Sequence, residues 1–350
     1  MNLSKNLSCT ALIIAVCAFF PKEILAQPQL TFPQLSQKAS VTQTIGLTDI
    51  SIDYHRPLVK GRKIWGGLVP YNEVWRAGAN ENTTIDFSDN VKINGMDLPA
   101  GKYGLHMIPS ENEWTIIFNK DNAAWGSFFY NPGQDALRIK VKPQTADFVE
   151  ALTYTFTDPT INSVEANLRW EKLNVPFKIE VDVKNVVLAS IRKELTGLAG
   201  FYWQPFMQAA AYCLRNDFSL DDGTKWVDKS ISINKNFSNM RVKAGLLNKL
   251  GKTEEAGKLM DDAWKIATEN EINTTGYQYL NAKNYDKAIE TFKMNIDRHP
   301  DSWNVYDSLA DAYEKSGNKE LALENYGKAL KMTVDQKQKD RISKTIQNLK

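Results

Sequence analysis

The sequence predicts an α+β architecture in separate domains: an N-terminal antiparallel β-sandwich, then a C-terminal α-solenoid of stacked helix pairs. Three observations carry this. Short runs with a two-residue hydrophobic period fill the first half of the 350-residue chain, the mark of strands with one buried face. Turn residues punctuate those runs. Beyond Lys184 the period lengthens to that of helices, and one helical layout recurs.

Residues 1–26 stand outside this plan. Lys5 precedes an apolar run from Thr10 to Phe20, and the small residue Ala26 closes the stretch. The pattern predicts a secretory signal peptide cleaved after Ala26, and so a periplasmic or cell-envelope location. The run is shorter than the ~20 residues that span a bilayer, so the mature chain is expected to have no transmembrane span. Lipidation at Cys17 competes with this reading, but Val16 stands where a small residue is wanted. Cys213 then remains, in the helical context AAAYCLRN, and reads as a small buried hydrophobe. The net charge of +2 gives no basic face, so nucleic acid is not expected as a partner.

The β-sandwich is expected over residues 34–183. Ile50, Ile52 and Tyr54 alternate in DISIDY, Ile85 and Phe87 in TIDF, and Tyr103, Leu105 and Met107 in KYGLHM. EWTIIF, LRIKV and LTYTF follow the same rule, then VEANLRW, and Val175–Val181 closes the series. VKI-NG-MDL is a hairpin signal, because Asn94-Gly95 tolerates the positive φ of a type I′ turn. Eight or so such strands suit a sandwich.

Residues 184–200 read as a linker helix, with Val187, Ile191 and Leu195 at helical spacing before Gly197 and Gly200. Residues 201–350 read as the solenoid, closed by a C-terminal capping helix with Ile342, Ile346 and Leu349 on one face. Ala256, Ala288 and Ala322 correspond, as do Met260, Phe292 and Tyr326, at offsets of 32 and 34 residues. Small residues let paired helices approach, and large ones fill the space between them. Gly276, Tyr279, Ala288, Phe292 and Pro300 resemble one tetratricopeptide repeat; Leu309, Ala310, Tyr313, Gly317, Ala322, Tyr326 and Ala329 resemble the next. An earlier copy over Pro205–Asn234 is degenerate, with a long inter-helix stretch at DFSLDDG.

Between Tyr54 and TIDF runs a long connection, HRPLVKGRKIWGGLVPYNEVWRAGANENTT. Long loops rich in Arg, Trp and Asn either bind something or pack over a sheet edge. This stretch, with LPAGKYGLHMIP, WTIIFNK and WGSFFY, resembles the bacterial domain of unknown function 2911 over roughly Gln34–Val183. A signal peptide and appended tetratricopeptide repeats imply a Bacteroidetes-type member. The resemblance implies no assigned activity.

The cluster Arg56, Arg62, Trp75, Arg76, Asn80 and Thr83, with Asn119 and Trp125 from a second loop, forms the ligand-binding candidate set. Packing over the sandwich end is one reading. Another is a small-molecule or glycan site, since Arg offers a planar fork to anions and Trp a stacking face. A hydrolase at the same loop is the third, although no catalytic residue is assigned. His55, His106 and His299 form no HExxH or His-x-His pattern, so no metal or cofactor is implied. Ser110, Ser127 and Ser163 lack a nucleophile-elbow context. In tetratricopeptide repeats the first helix of each pair lines the concave face. That resemblance makes Arg241, Asn248, Tyr277, Leu280, Asp307 and Asp311 candidates for holding a protein or peptide partner.

Overall fold

The computed structural model describes residues 32–350. The signal peptide expected over residues 1–26, with the Cys17 alternative, lies outside the described residues. The first half is two antiparallel sheets. β1 (Gln37–Ile45), β2 (Thr48–Arg56), β3 (Thr84–Phe87), β6 (Gly101–Ile108), β7 (Trp114–Asn119) and β8 (Asp135–Val141) pair in that order. The second sheet runs β5 (Met96–Leu98), β4 (Val91–Ile93), β10 (Ser163–Val181), β9 (Gln144–Thr157).

Their inward positions form one continuous core. Ile50, Ile52, Ile85, Met107, Ile116 and Phe118 face Tyr154, Leu168, Trp170, Phe177 and Ile179, all buried. Phe118 meets Phe177 edge-on across the sheets at 5.9 Å. Burying each such side chain stabilises the fold by about 1.5–3 kcal/mol, so Phe118→Ala would cost about 3–5 kcal/mol. The expected hairpin forms, with Asn94 at φ 48° and Gly95 at φ 84°. Asn94 Oδ1 also accepts from Lys178 N at 2.8 Å, fixing the turn to β10.

Two details differ from the expected strands. VEANLRW and the Val175–Val181 run are one 19-residue strand, β10. Its register against β9 shifts around Arg169, Glu171 and Leu173, and Glu171 adopts φ 55°. A bulge absorbs the irregularity without ending the strand. β1 has no expected counterpart because it lies at a sheet edge with mostly wet or half-wet positions.

α1 (Val183–Glu194) follows β10 directly, capped by Asp182, whose carboxylate accepts from Asn185 N at 3.3 Å. The helix expected through residue 200 stops at Glu194. Thr196 Oγ1 donates to Lys193 O at 2.6 Å, a local bond that competes with the helical one. A short 3-10 turn, Leu198–Phe201, leads on.

Four helix pairs and a final helix complete the chain: α2 (Trp203–Asn216) with α3 (Leu220–Ile233), α4 (Phe237–Lys249) with α5 (Thr253–Ile266), α6 (Glu269–Asn281) with α7 (Tyr285–Arg298), α8 (Trp303–Lys315) with α9 (Lys319–Met332), then α10 (Gln336–Leu349). The fourth residue of each second helix is small: Gly223, Ala256, Ala288, Ala322. One turn later stands the filler: Val227, Met260, Phe292, Tyr326. The first pair is therefore regular, and the long stretch expected at DFSLDDG is a turn over residues 217–219. Asp217 and Ser219 both take positive φ there, and Asp222 accepts from Ser219 Oγ at 2.8 Å. A Cβ on Gly223 would lie 2.8 Å from Cys213 Cβ, so glycine permits this crossing. Cys213 is buried, and burial pushes its thiol up. Capping boxes start α4 (Asn236, Asn239) and α6 (Thr268, Glu271). α10 seals the stack with Ile342, Ile346 and Leu349. Among the described residues no helix is long and apolar enough to cross a membrane.

Candidate functional site

The long connection between β2 and β3 is folded tightly over one end of the sandwich. Trp75 exchanges both backbone hydrogen bonds with Met107 at 2.8 Å, and Asn72 N donates to Pro109 O at 2.8 Å. These bonds lay the segment against the end of β6. Trp65 lies edge-on to Trp75, Trp114 and Trp170 at 5.8, 4.8 and 5.7 Å. Trp75 stacks on Trp170 at 6.0 Å. Such rings contribute through area and about 0.5–1.5 kcal/mol per pair beyond it.

The chain then reverses at Ala77, which is fully buried with φ 52°. Left-handed backbone at a non-glycine costs roughly 1–2 kcal/mol. The surroundings offset it: Ala77 O accepts from Tyr154 Oη at 3.0 Å and Thr83 Oγ1 at 3.2 Å. Trp75 Nε1 donates to Gly78 O at 3.1 Å. A Cβ on Gly78 would fall 2.5 Å from Thr83 Oγ1, so this position needs glycine.

That reversal leaves a cleft of about 350 Å³. Its apolar wall is Leu35, Pro57, Leu58, Leu68, Val69 and Trp75, with Trp170 behind. Its ionisable lining residues are Lys60, Arg62 and Arg76. Arg76 is half-buried, and burial lowers its guanidinium pKa while Glu81 acts in the opposite sense. Among the described residues it makes no hydrogen bond, and its buried Nε has no partner. It lies over the Trp125 ring at 5.9 Å. Gly126, at φ 67°, gives it room, since a Cβ there would stand 3.0 Å from Arg76 Nη1.

The candidates from the sequence divide. Arg62, Trp75 and Arg76 line the cleft, although Arg62 spends its guanidinium on the carbonyls of Leu58 and Val59. Arg56 instead braces the two sheets, donating to Leu152 O at 3.0 Å and Thr153 Oγ1 at 2.7 Å. Thr83 is buried in the Ala77 turn. Asn80 ties the turn to Gln34 and to Ser36 O, at 2.8 and 3.3 Å. Asn119 is buried and pins the second loop through Asn131 O and Asp135. Trp125 is exposed and stacks on exposed Phe128 at 5.9 Å. Sequence reasoning missed Lys60, Leu58 and Trp170. The first two sit in the quoted connection without a distinguishing pattern, and Trp170 reads as an ordinary inward strand residue.

Beside the second loop, His106 is buried and its pKa falls to about 4 through loss of solvent. Its Nδ1 lies 3.4 Å from Ser127 Oγ. Tyr130 donates to Asp135 at 2.7 Å, and burial with that bond raises its hydroxyl to about 12. Arg138 closes the group on Asp135 at 2.6 Å. On the other flank His55 faces Glu81 at 3.3 Å.

A second concavity, of about 610 Å³, lies along α6, α8 and α10. Tyr277, Leu280 and Asp311, three of the groove candidates, line it together with Glu314, Tyr326 and Arg341. Tyr277 donates to Asp311 at 2.6 Å; Tyr326 donates to Asp311 and Glu314 at 2.5 and 2.7 Å. Asp307 is no groove residue: it is buried against Arg341 at 2.6 Å, and burial raises its pKa against that pairing. Arg241 bridges α4 to Gln278 on α6 at 2.7 Å, and Asn248 is exposed at the end of α4, both outside this lining.

Residues 36–179 match the family described as Protein of unknown function (DUF2911). The DUF2911 region thus holds every strand from β1 to β9 and nearly all of β10, with the cleft inside it except for Leu35. The helical region after it resembles tetratricopeptide-repeat proteins. Similar solved structures include "Crystal structure of YrrB: a TPR protein with an unusual peptide-binding site", 18% identical over 46% of this chain and 83% of that one, TM-score 0.28. "Crystal structure of MamA protein" is 17% identical over 41% and 80%, TM-score 0.26. MamA from Desulfovibrio magneticus RS-1 is 19% identical over 37% and 75%, TM-score 0.24. No curated protein matches.

Proposed function

We propose that this chain is an exported binding protein of the cell envelope. Its repeats hold a protein or peptide segment along α6, α8 and α10, and the DUF2911 region takes a small ligand in the Arg/Trp cleft. One observation carries the reading: the first helices of successive pairs share a groove walled by aromatic and charged groups of both signs. Concave faces of helix-pair stacks serve extended partners in this way.

Photo-crosslinking in cells from Asn281, an exposed groove position, tests it against Asn248 as the control position. A discrete adduct from Asn281, lost when Lys315→Glu reverses the groove rim, is expected. Equal labelling from both positions refutes the groove. Export predicts a chain cut after Ala26 in the envelope fraction, and an uncut cytoplasmic chain refutes it. A second reading, a hydrolase at the same end of the β half, is favoured by Ser127 Oγ beside the neutral ring of His106. Ester turnover lost in Ser127→Ala supports it, and unchanged turnover removes it.

A further inference from the structure

We propose that the cleft of the DUF2911 region binds an organic monoanion: a carboxylate on an apolar body of about a dozen heavy atoms. The proposal rests on reading the cleft as a ligand site and specifies what enters it. Charge is the first argument. Among the described residues the lining includes Lys60, Arg62 and Arg76 and no carboxylate. Two acids stand nearby without lining the cleft: Glu81, which faces His55 at 3.3 Å and acts electrostatically on Arg76, and Glu150, which accepts from Lys60 N at 2.9 Å. A guanidinium that is half out of water and has no hydrogen-bond partner is a costly group to hold. Arg76 lines the cleft with its guanidinium turned toward Trp125 and Gly126, and a carboxylate entering on that side would give it a planar partner.

The second argument concerns the rest of the ligand. Three polar side chains of the wall are already spent, which leaves Ser36 and Lys60 beside Arg76. Trp75 Nε1 donates to Gly78 O, Trp170 Nε1 to Glu150 O, and Arg62 to Leu58 O and Val59 O. A sugar ring would bring hydroxyls with few side-chain partners here. An apolar body would instead cover Leu58, Leu68, Val69 and the open part of Trp75. At roughly 30 Å³ per heavy atom, the volume share of a liquid water, a cleft of about 350 Å³ sets the size.

Four probes test this by isothermal titration calorimetry on the full chain: 4-phenylbutyrate, its neutral amide and galacturonate, all of similar size, and the smaller inorganic sulfate. The expected result is binding of 4-phenylbutyrate about 10- to 100-fold tighter than the amide, the range for one charged hydrogen-bonded contact. Arg76→Gln is expected to remove a similar factor, and Lys60→Gln, at an exposed rim position, a smaller one. If Arg76→Gln loses its fold, the amide comparison and Lys60→Gln still decide. Equal affinity for acid and amide overturns the anion while leaving the cleft a ligand site. Binding of galacturonate or sulfate in preference to 4-phenylbutyrate overturns the apolar body. Silence from all four probes overturns the proposal outright, and the crosslink from Asn281 is read independently of it.

Discussion

Two helical glycines, Gly276 and Gly257, should respond to alanine with opposite sign. Gly276 lies on α6 against the ring of Phe292 on α7. A Cβ there would stand 2.7 Å from Phe292 Cζ and 2.8 Å from Cδ1, with Cε1 nearer still. Phe292 is fully buried and packs edge-on to Tyr277 at 5.2 Å, so its rigid ring has nowhere to retreat. Alanine gains about 0.5–1 kcal/mol of backbone entropy in a helix. Forcing a methyl into a filled core costs about 1–3 kcal/mol. The balance for Gly276→Ala is a loss of about 1–2 kcal/mol. Gly257, within α5, has open space where a Cβ would go, so Gly257→Ala should gain about 0.5–1 kcal/mol. Urea unfolding followed by far-ultraviolet circular dichroism reads both. Because Phe292 supports Tyr277, Gly276→Ala should also weaken partner capture at the groove. A midpoint for Gly276→Ala that rises as Gly257→Ala does would refute the close packing of α6 on α7.

Other expectations follow from single contacts. His106 has its pKa depressed to about 4 from 6.5, so the folded state refuses a proton that the unfolded chain accepts between those values. Stability should therefore be intact above pH 6.5 and fall as pH drops toward 4, by up to about 3 kcal/mol; His106→Gln should flatten this part of the profile, measured as denaturation midpoints between pH 5 and 7.5. Tyr154→Phe removes one donor from Ala77 O and should cost about 1 kcal/mol in tryptophan-monitored unfolding. Arg341→Gln leaves the buried Asp307 carboxylate without its cation, so hydrogen exchange over residues 336–349 should accelerate. That exchange should slow again as acid neutralises Asp307.

Much of the architecture was legible because periodicity reports burial directly. Ile50, Ile52 and Tyr54 alternate because they face one core, and Ala288 and Phe292 recur because each helix pair repeats one crossing. The Asn94-Gly95 turn was legible because few dipeptides accept two positive φ angles. Continuity was harder to read. β10 passes through a bulge that looks, in sequence, like an interval between two strands. Edge position hides β1, whose outward face has no core to mark it. The short α2–α3 turn rests on positive φ at Asp217 and Ser219, residues that equally suit a longer loop. At the site, the sequence identified the connection and not the partition within it. Arg56 and Arg76 stand on one continuous stretch, yet one is a cross-sheet brace and the other a cleft group. That difference depends on Leu152 and Thr153, about a hundred residues away.

The long strand β10 has a mechanical meaning. At about 3.3 Å per residue it runs on the order of 60 Å, and it passes through Asp182 straight into α1. A pull on the helical repeats would therefore load β10 along its own axis. Its ladder bonds to β9 and β4 would share that force in shear and would not open one at a time like a zip. A tug on the repeats would reach the sheets along this continuous rod and through Val183 and Val186, which pack against the sandwich core.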